Sequence, residues 1–448
     1  MNIHAGRDLG LTAPPLPVSA GEELHAFASR LYPICRSLTG EGVRQTLGMI
    51  SQAVPLSLTE IATGTDVFDW AIPREWNIRD AYIKNSRGER VVDFKRSNLH
   101  VLGYSTPVNR RMTLAELRPH LHTLPDQPDL IPYRTSYYRD DWGFCLSHVQ
   151  AQSLPDGTYD VVIDSELRDG NLVYGEYLHQ GDSSDEVLLS AHACHPSLAN
   201  DNCSGLAVLA RLAASLKGRS TRLSYRFLFA PGTIGAIAWL SRNEAHVHRI
   251  KHGLVIAGVG DPGRPTYKRS RRGDAKIDRV LEHVLAQPAF DGNIIDFSPY
   301  GYDERQYGSP GFNLPVGLLQ RSPFGTFPEY HTSADNLDFI TPAALQNSYE
   351  ILQSAIGILE RDRVLLNLSP KCEPQLGKRN AYAAIGGANA EQSRMALLWV
   401  LNQSDGTQSL FDIATRAKLP FEAICGAAAQ LEEIGLVRTA GPQDKIAT

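Results

Sequence analysis

The chain has 448 residues, a formal net charge of -5 and a charged fraction of 21%. That length predicts two to four domains around a sizeable core, and the charge balance calls for neither nucleic acid nor an anionic membrane surface. No apolar run reaches the length of a membrane span.

Met1–Ala20 holds Pro14, Pro15 and Pro17 but no apolar signal core, so a cytoplasmic protein is expected. The six cysteines, Cys35, Cys145, Cys194, Cys203, Cys372 and Cys425, are scattered, lack CxxC spacing and read as reduced thiols. Gly21–Arg36 and Glu41–Ser51 predict amphipathic helices, with Thr39-Gly40 as the stop and restart between them. From Asp66 to Gln180 short alternating runs such as Ala81-Tyr82-Ile83 and Tyr159–Ile163 are separated by Gly, Pro, Asn and Asp, which predicts a β-rich insertion. From Asp185 to about Arg363 strands alternate with helices, the pattern of an α/β sandwich. Thr341-Pro342 caps a long helix running to about Arg363. Pro370–Gln375 and Gly386-Gly387 read as a linker. Beyond it, helices at Met395–Leu401, Ser409–Ala417 and Phe421–Ile434 and a strand at Gly435–Thr439 follow the winged-helix order.

The expected boundaries are 20–65 with 181–366 for the α/β domain, 66–180 for the insertion and 388–448 for the winged helix. The would-be recognition helix Phe421–Ile434 has no Lys or Arg and carries Glu422, Glu432 and Glu433. Phosphate contacts need cations, so this module is expected to serve packing or homo-oligomerisation and not DNA.

Chemistry concentrates in Ala191–Gly205, AHACHPSLANDNCSG. The run Val187-Leu188-Leu189 predicts a strand ending at His192, and Leu206–Leu216 has helical spacing. His192 and Asp201 therefore share a strand-to-helix loop, where open α/β sheets bind ligands. Neutral imidazole and carboxylate both suit zinc; the bland alternative is a hydrogen-bonded loop with one His at the core edge. Cys194 and Cys203 flank this place and read as buried thiols.

Three further clusters fall where strands should end: His331 with Tyr330 and Glu329 in PEYHTSADNLDFI, Asp261 in AGVGDPG, and Tyr302-Asp303-Glu304-Arg305. Lys268 and Arg269, in the basic run Tyr267–Arg272, and Arg305 would hold an anionic substrate group if they border the pocket; otherwise the run is a solvated loop. Tyr137-Tyr138 and Trp142–Phe144 either wall the pocket or pack the insertion's core.

HxC…DN-x-SG, a post-strand Asp and a late Tyr-His together resemble the co-catalytic zinc aminopeptidase family, which includes leucine-type aminopeptidases and glutamate carboxypeptidase. Within it, the chain is similar over nearly its whole length to a bacterial aminopeptidase-like subgroup with an inserted β domain and a C-terminal winged helix, often encoded among polysaccharide or secondary-metabolite genes. The resemblance implies an α/β/α sandwich and one or two zinc ions. It implies that His192 and Asp261 bind the first ion, Asp201 bridges, His331 binds the second, and Tyr330 hydrogen-bonds the tetrahedral intermediate. The family's Glu pair is absent: that place reads Ala230-Pro231-Gly232-Thr233-Ile234-Gly235, and the family's His-x-Asp has become His192-Ala193-Cys194. A metal-activated water needs a proton acceptor. Glu304 is the first candidate and Glu329 the second, with His195 as a ligand or shuttle. The expected function is amide cleavage in a small peptide or aminoacylated metabolite. A deacylase of polysaccharide or secondary-metabolite biosynthesis, or a decayed fold that binds such a ligand, stays open.

Overall fold

The computed structural model describes residues 19–379, 390–441 and 444–445. The chain divides into two compact units between Gln353 and Ser354. The first is built on an eight-stranded sheet. Its centre is four parallel strands in the order Ser224–Ala230, Glu186–His192, Ile250–Ile256 and Val316–Gln320. Glu186–His192 is buried at every position. A near-continuous apolar run of this kind is what a parallel strand covered on both faces requires.

Antiparallel strands flank the parallel centre. Asn171–His179 pairs with Ser224–Ala230, and Ser57–Ala62 pairs outside it. On the other side Thr266–Lys268 runs antiparallel to Val316–Gln320 and parallel to Asn293–Ile295. Connecting helices include Gly205–Leu216, Ile234–Asn243 and Lys276–Leu285. The first helix, Ser19–Leu31, packs on Gly205–Leu216 and on the turn Ala199–Ser204, while Glu41–Ser51 packs on the strand Asn171–His179. The expected α/β sandwich is thus the observed architecture. Because the central strands are parallel, His192, Ala230, Ile256 and Gln320 all end at one edge, where the loops of an open sheet gather a ligand site.

The insertion has its own four-stranded antiparallel sheet, Arg90–Asp93, Glu75–Lys84, Thr158–Arg168 and Val108–Thr113. Its expected end at 180 needs correction, because Asn171–His179 is paired on both sides within the main sheet. Consecutive strands Thr158–Arg168 and Asn171–His179 belong to different sheets, and alternation along the chain carries no information on which sheet a strand joins. The insertion is tied to the helix Glu41–Ser51 by a bidentate pair from Arg44 to the buried Glu75.

The second unit carries helices Ala390–Gln403, Leu410–Ala417 and Phe421–Glu433. Its three-stranded sheet has Val364–Asn367 between Asp405–Ser409 and Val437–Thr439. The expected start at 388 was too late, because the middle strand comes from Val364–Asn367. Ser409 caps its helix by accepting from Asp412 N, while the Asp412 side chain accepts from Ser409 N. Gly386-Gly387 lies outside the described residues. Among the described residues no helix is long and apolar enough to cross a membrane.

Candidate metal centre and its cavity

The segment Ala199–Ser204 connects the strand Glu186–His192 to the helix Gly205–Leu216, and every one of its residues is buried. Polar groups buried there must find partners, and the side chains of this motif supply them. Asn202 Nδ2 donates to Ile256 O, and its Oδ1 accepts from Gly205 N and Gly258 N. Asn200 Oδ1 accepts from Gly260 N and Asp261 N, and Ser204 Oγ accepts from Val259 N. Gly205 is required by space: a Cβ there would lie 2.3 Å from Asn202 Oδ1 and 2.5 Å from Ile256 O. The sequence DN-x-SG thus locks the turn to the end of the neighbouring strand.

This turn holds Asp201 between imidazoles. Its Oδ1 lies 2.8 Å from His192 Nε2 and 3.8 Å from His195 Nδ1, and its Oδ2 lies 3.0 Å from His331 Nε2. Burial pushes the Asp201 carboxyl up, but the imidazoles of His195, His192 and His331 outweigh it and hold the group well below the ordinary carboxylate range. Burial pushes His195 down to about 3, so its ring is neutral at physiological pH. Asp335 Oδ1 and Oδ2 accept from Asn200 N and Asp201 N. His331 sits in a left-handed backbone conformation, φ 55°. That conformation is costly for a non-glycine residue and persists where surroundings over-determine it. Here the insertion does so: Tyr133 N donates to His331 O, Ser333 N donates to Ile131 O, and Ile131 N donates to Ser333 Oγ. The Tyr133 ring meets both His195 and His331 edge-on, at 5.2 and 5.0 Å between centroids.

Beside this cluster lies a cavity of about 160 Å³, lined by Leu38, Tyr137, His192, Cys194, His195, Gly232, Thr233, Gly301, Tyr302, Asp303 and Tyr330. Tyr137 therefore walls the cavity. Tyr138 is exposed, Phe144 is core, and Trp142 stacks on His120. The Tyr302 ring lies on His192 and the Tyr330 ring on His331, at 5.2 and 3.9 Å. Burial, then the charge of Asp201, pushes both phenols far above their usual range, so both keep the O–H proton. Burial pushes Cys194 up to about 12, which leaves it an uncharged thiol.

Gly232 and Thr233 stand on the cavity wall where an acid pair was expected, and a different acid reaches that spot. Asp303 Oδ1 accepts from Thr233 N at 2.7 Å. Asp303 is 3% exposed, and its Oδ2 makes no hydrogen bond among the described residues. Burial raises its carboxyl, partly opposed by His192. The sequence offered Asp303 only as one of four adjacent residues, because nothing local tells which of them turns inward.

Several expected site residues lie elsewhere. Glu304 is fully buried against Lys268, Oε1 to Nζ 2.8 Å, and does not line the cavity. Lys268 is itself buried and also donates to Tyr300 O, so it is not a solvated substrate clamp. Arg269 faces away and pairs with Glu282 and Asp296. Arg305 reaches Thr233 Oγ1 at 3.5 Å from outside the cavity lining. Lys268, Arg269 and Glu304 were misplaced because Thr266–Lys268 is a strand of the main sheet: Lys268 points into the protein, where it takes Glu304 as its partner, and Arg269 points away. Asp261 accepts from Asn200 Nδ2, Gly263 N, Ser322 N and Ser322 Oγ, which uses its carboxylate to brace the loop. It is absent from the one group of potential ligands that converges among the described residues, His192, His195 and Asp201, whose ligand atoms lie within 4.8 Å of one another. Glu329 does not line the cavity; its carbonyl accepts from Thr332.

Comparison with known proteins agrees with this architecture. Residues 25–362 match the family described as a domain of unknown function, DUF4910, and residues 363–439 match a winged helix-turn-helix. A Clostridium acetobutylicum protein is 51% identical over 419 residues, covering 93% of this chain and 96% of its own. Its name refers to polysaccharide biosynthesis and an aminopeptidase-like domain. The crystal structure of a protein from Clostridium acetobutylicum, described as a peptidase, superimposes with a TM-score of 0.89 at 49% identity, covering 94% of this chain and 97% of that one. A zinc aminopeptidase from Bacillus subtilis shares the fold with a TM-score of 0.55 at 12% identity, over 77% of this chain and 95% of its own. The chain therefore belongs to the DUF4910 family, an aminopeptidase-like α/β fold followed by a winged helix.

Proposed function

We propose that the protein is a zinc-dependent hydrolase of aminopeptidase type that cleaves an amide bond in a small peptide or aminoacylated metabolite. The observation that carries this reading is the buried Asp201 carboxylate, with an imidazole on each oxygen, beside a cavity that holds a second acid. Imidazole nitrogen and carboxylate oxygen are the donors zinc takes, whereas calcium and magnesium prefer oxygen shells. His192 and Asp201 would hold the ion, which when bound supplies carbonyl polarisation and a lowered pKa for water. Asp303 Oδ2 accepts the proton of the attacking water and returns it to the leaving amine, the work of a general base and then acid. The Tyr330 O–H donates to the oxygen that gains charge. His331 holds the far oxygen of Asp201, and Tyr302 stacks His192 in place. A cavity of about 160 Å³ restricts the group beside the scissile bond to a small one.

The name of the Clostridium relative supports a second reading, an amide substrate carried on a saccharide. Metal analysis and one substrate panel test both. Purified protein should retain zinc, and aminoacyl anilides should turn over; turnover of N-acylated amino sugars alone selects the deacylase. Wild-type protein that takes up no transition metal sinks both.

Cys145 and Cys194 are held up to about 12 by burial, and burial raises Cys203 as well, which suits a reducing cytoplasm. The winged helix is read as a packing or homo-oligomer module. Glu422 and Glu432 of its helix pair with Arg361 and Arg363, and the helix offers no cation to phosphate. Full-length protein should show no salt-sensitive retention of duplex DNA in a gel-shift assay at micromolar concentration; sub-micromolar binding would overturn this.

A further inference from the structure

Resting on that reading, we infer that His195 is a zinc ligand, and that the centre is a single-ion site of His192, His195 and Asp201. Three facts carry it. The ligand atoms of these residues converge within 4.8 Å, and no other group of three or more His, Cys, Asp and Glu does so among the described residues. Tetrahedral zinc with bonds of about 2.0–2.1 Å sets its ligand atoms roughly 3.3 Å apart, a spacing this cluster brackets: 2.8 Å from His192 Nε2 to Asp201 Oδ1, and 3.8 Å from His195 Nδ1 to the same oxygen.

The second fact is how little else the His195 ring does. Among the described residues its one hydrogen-bonding contact is Cys194 Sγ, at 3.8 Å, although the side chain is only 15% exposed. The third is how firmly its backbone is set. Arg36, 2% exposed, donates from Nε to His195 O and from Nη2 to Cys203 Sγ. One guanidinium thus fixes the His195 turn against the Asp201 turn.

Three protein ligands with an open fourth position are the pattern of a catalytic zinc, whereas structural sites are closed by four. Both His192 and His195 line the cavity with Asp303, and His331 does not, so the open position faces the second acid. His331 then serves as the outer partner of a ligand, holding Asp201 Oδ2. His195 supplies the donor that Gly232 and Thr233 lack.

The test is zinc affinity, measured on full-length protein by competition with a chromophoric chelator, with stoichiometry from elemental analysis. Wild type should bind one zinc per chain. His195→Ala and the bulkier His195→Gln should each weaken binding at least 100-fold, whereas His331→Ala should weaken it about tenfold, the lower end of outer-partner losses. Unchanged melting of the metal-free variants would separate lost ligation from lost folding, and His195→Gln covers the case in which His195→Ala does not fold. Cobalt-loaded wild type should show an intense tetrahedral visible band that both His195 variants lose. Zinc affinity within threefold of wild type in the His195 variants overturns the inference and leaves the hydrolase reading intact. So does a larger loss in His331→Ala than in His195→Ala, or two zinc ions per wild-type chain. Wild type that binds no zinc overturns both.

Discussion

Replacing Asp303 with asparagine should lower kcat by roughly 10²–10⁴-fold, the range that general acid–base groups contribute. The substitution keeps the shape, and the amide oxygen can still accept from Thr233 N, so the turn at Gly232-Thr233 should stand. What disappears is an oxygen able to hold a proton. Zinc content, KM and melting temperature should therefore stay near wild type while kcat collapses. Steady-state kinetics beside elemental analysis reads all of this. Turnover within threefold of wild type would remove Asp303 from the chemistry.

Glu304→Gln should do the opposite. Glu304 is 0% exposed and compensates Lys268, which is 3% exposed. Removing one partner of a buried ion pair leaves an uncompensated charge and costs about 3–5 kcal/mol. Denaturant midpoints should fall accordingly, while kcat per folded molecule stays near wild type. Lys268→Met combined with Glu304→Gln should recover much of the loss, because the stranded charge is gone. Normal stability with abolished turnover would return Glu304 to the reaction.

The sequence by itself determined the architecture and the loop that carries His192 and Asp201. Leucine and β-branched runs ending at His192, followed by helical spacing from Leu206, could form only a strand, a loop and a helix. Asn200, Asn202 and Ser204 are contiguous with Asp201, and Ser204 Oγ to Asn200 O and Gly205 N to Asn202 Oδ1 are local bonds, so the motif was legible without a fold, whereas its bonds to Ile256 O and Gly260 N were not. The winged helix was legible for the same reason, since caps and helix periodicity are local.

Tertiary structure alone decided which acid faces the cavity. Asp303 and Glu304 are neighbours of similar chemistry, yet one meets Thr233 N and the other Lys268, because the Thr266–Lys268 strand pairs against Val316–Gln320 from far along the chain. It decided likewise that Asp261 braces a loop, that Tyr133 and Tyr137 of the insertion close on the histidines, and that Arg36 grips His195 O across 159 positions of sequence. Periodicity states which residues face inward along one element. Which residues meet depends on strand order and register between distant segments, and a linear pattern does not encode these pairings one by one.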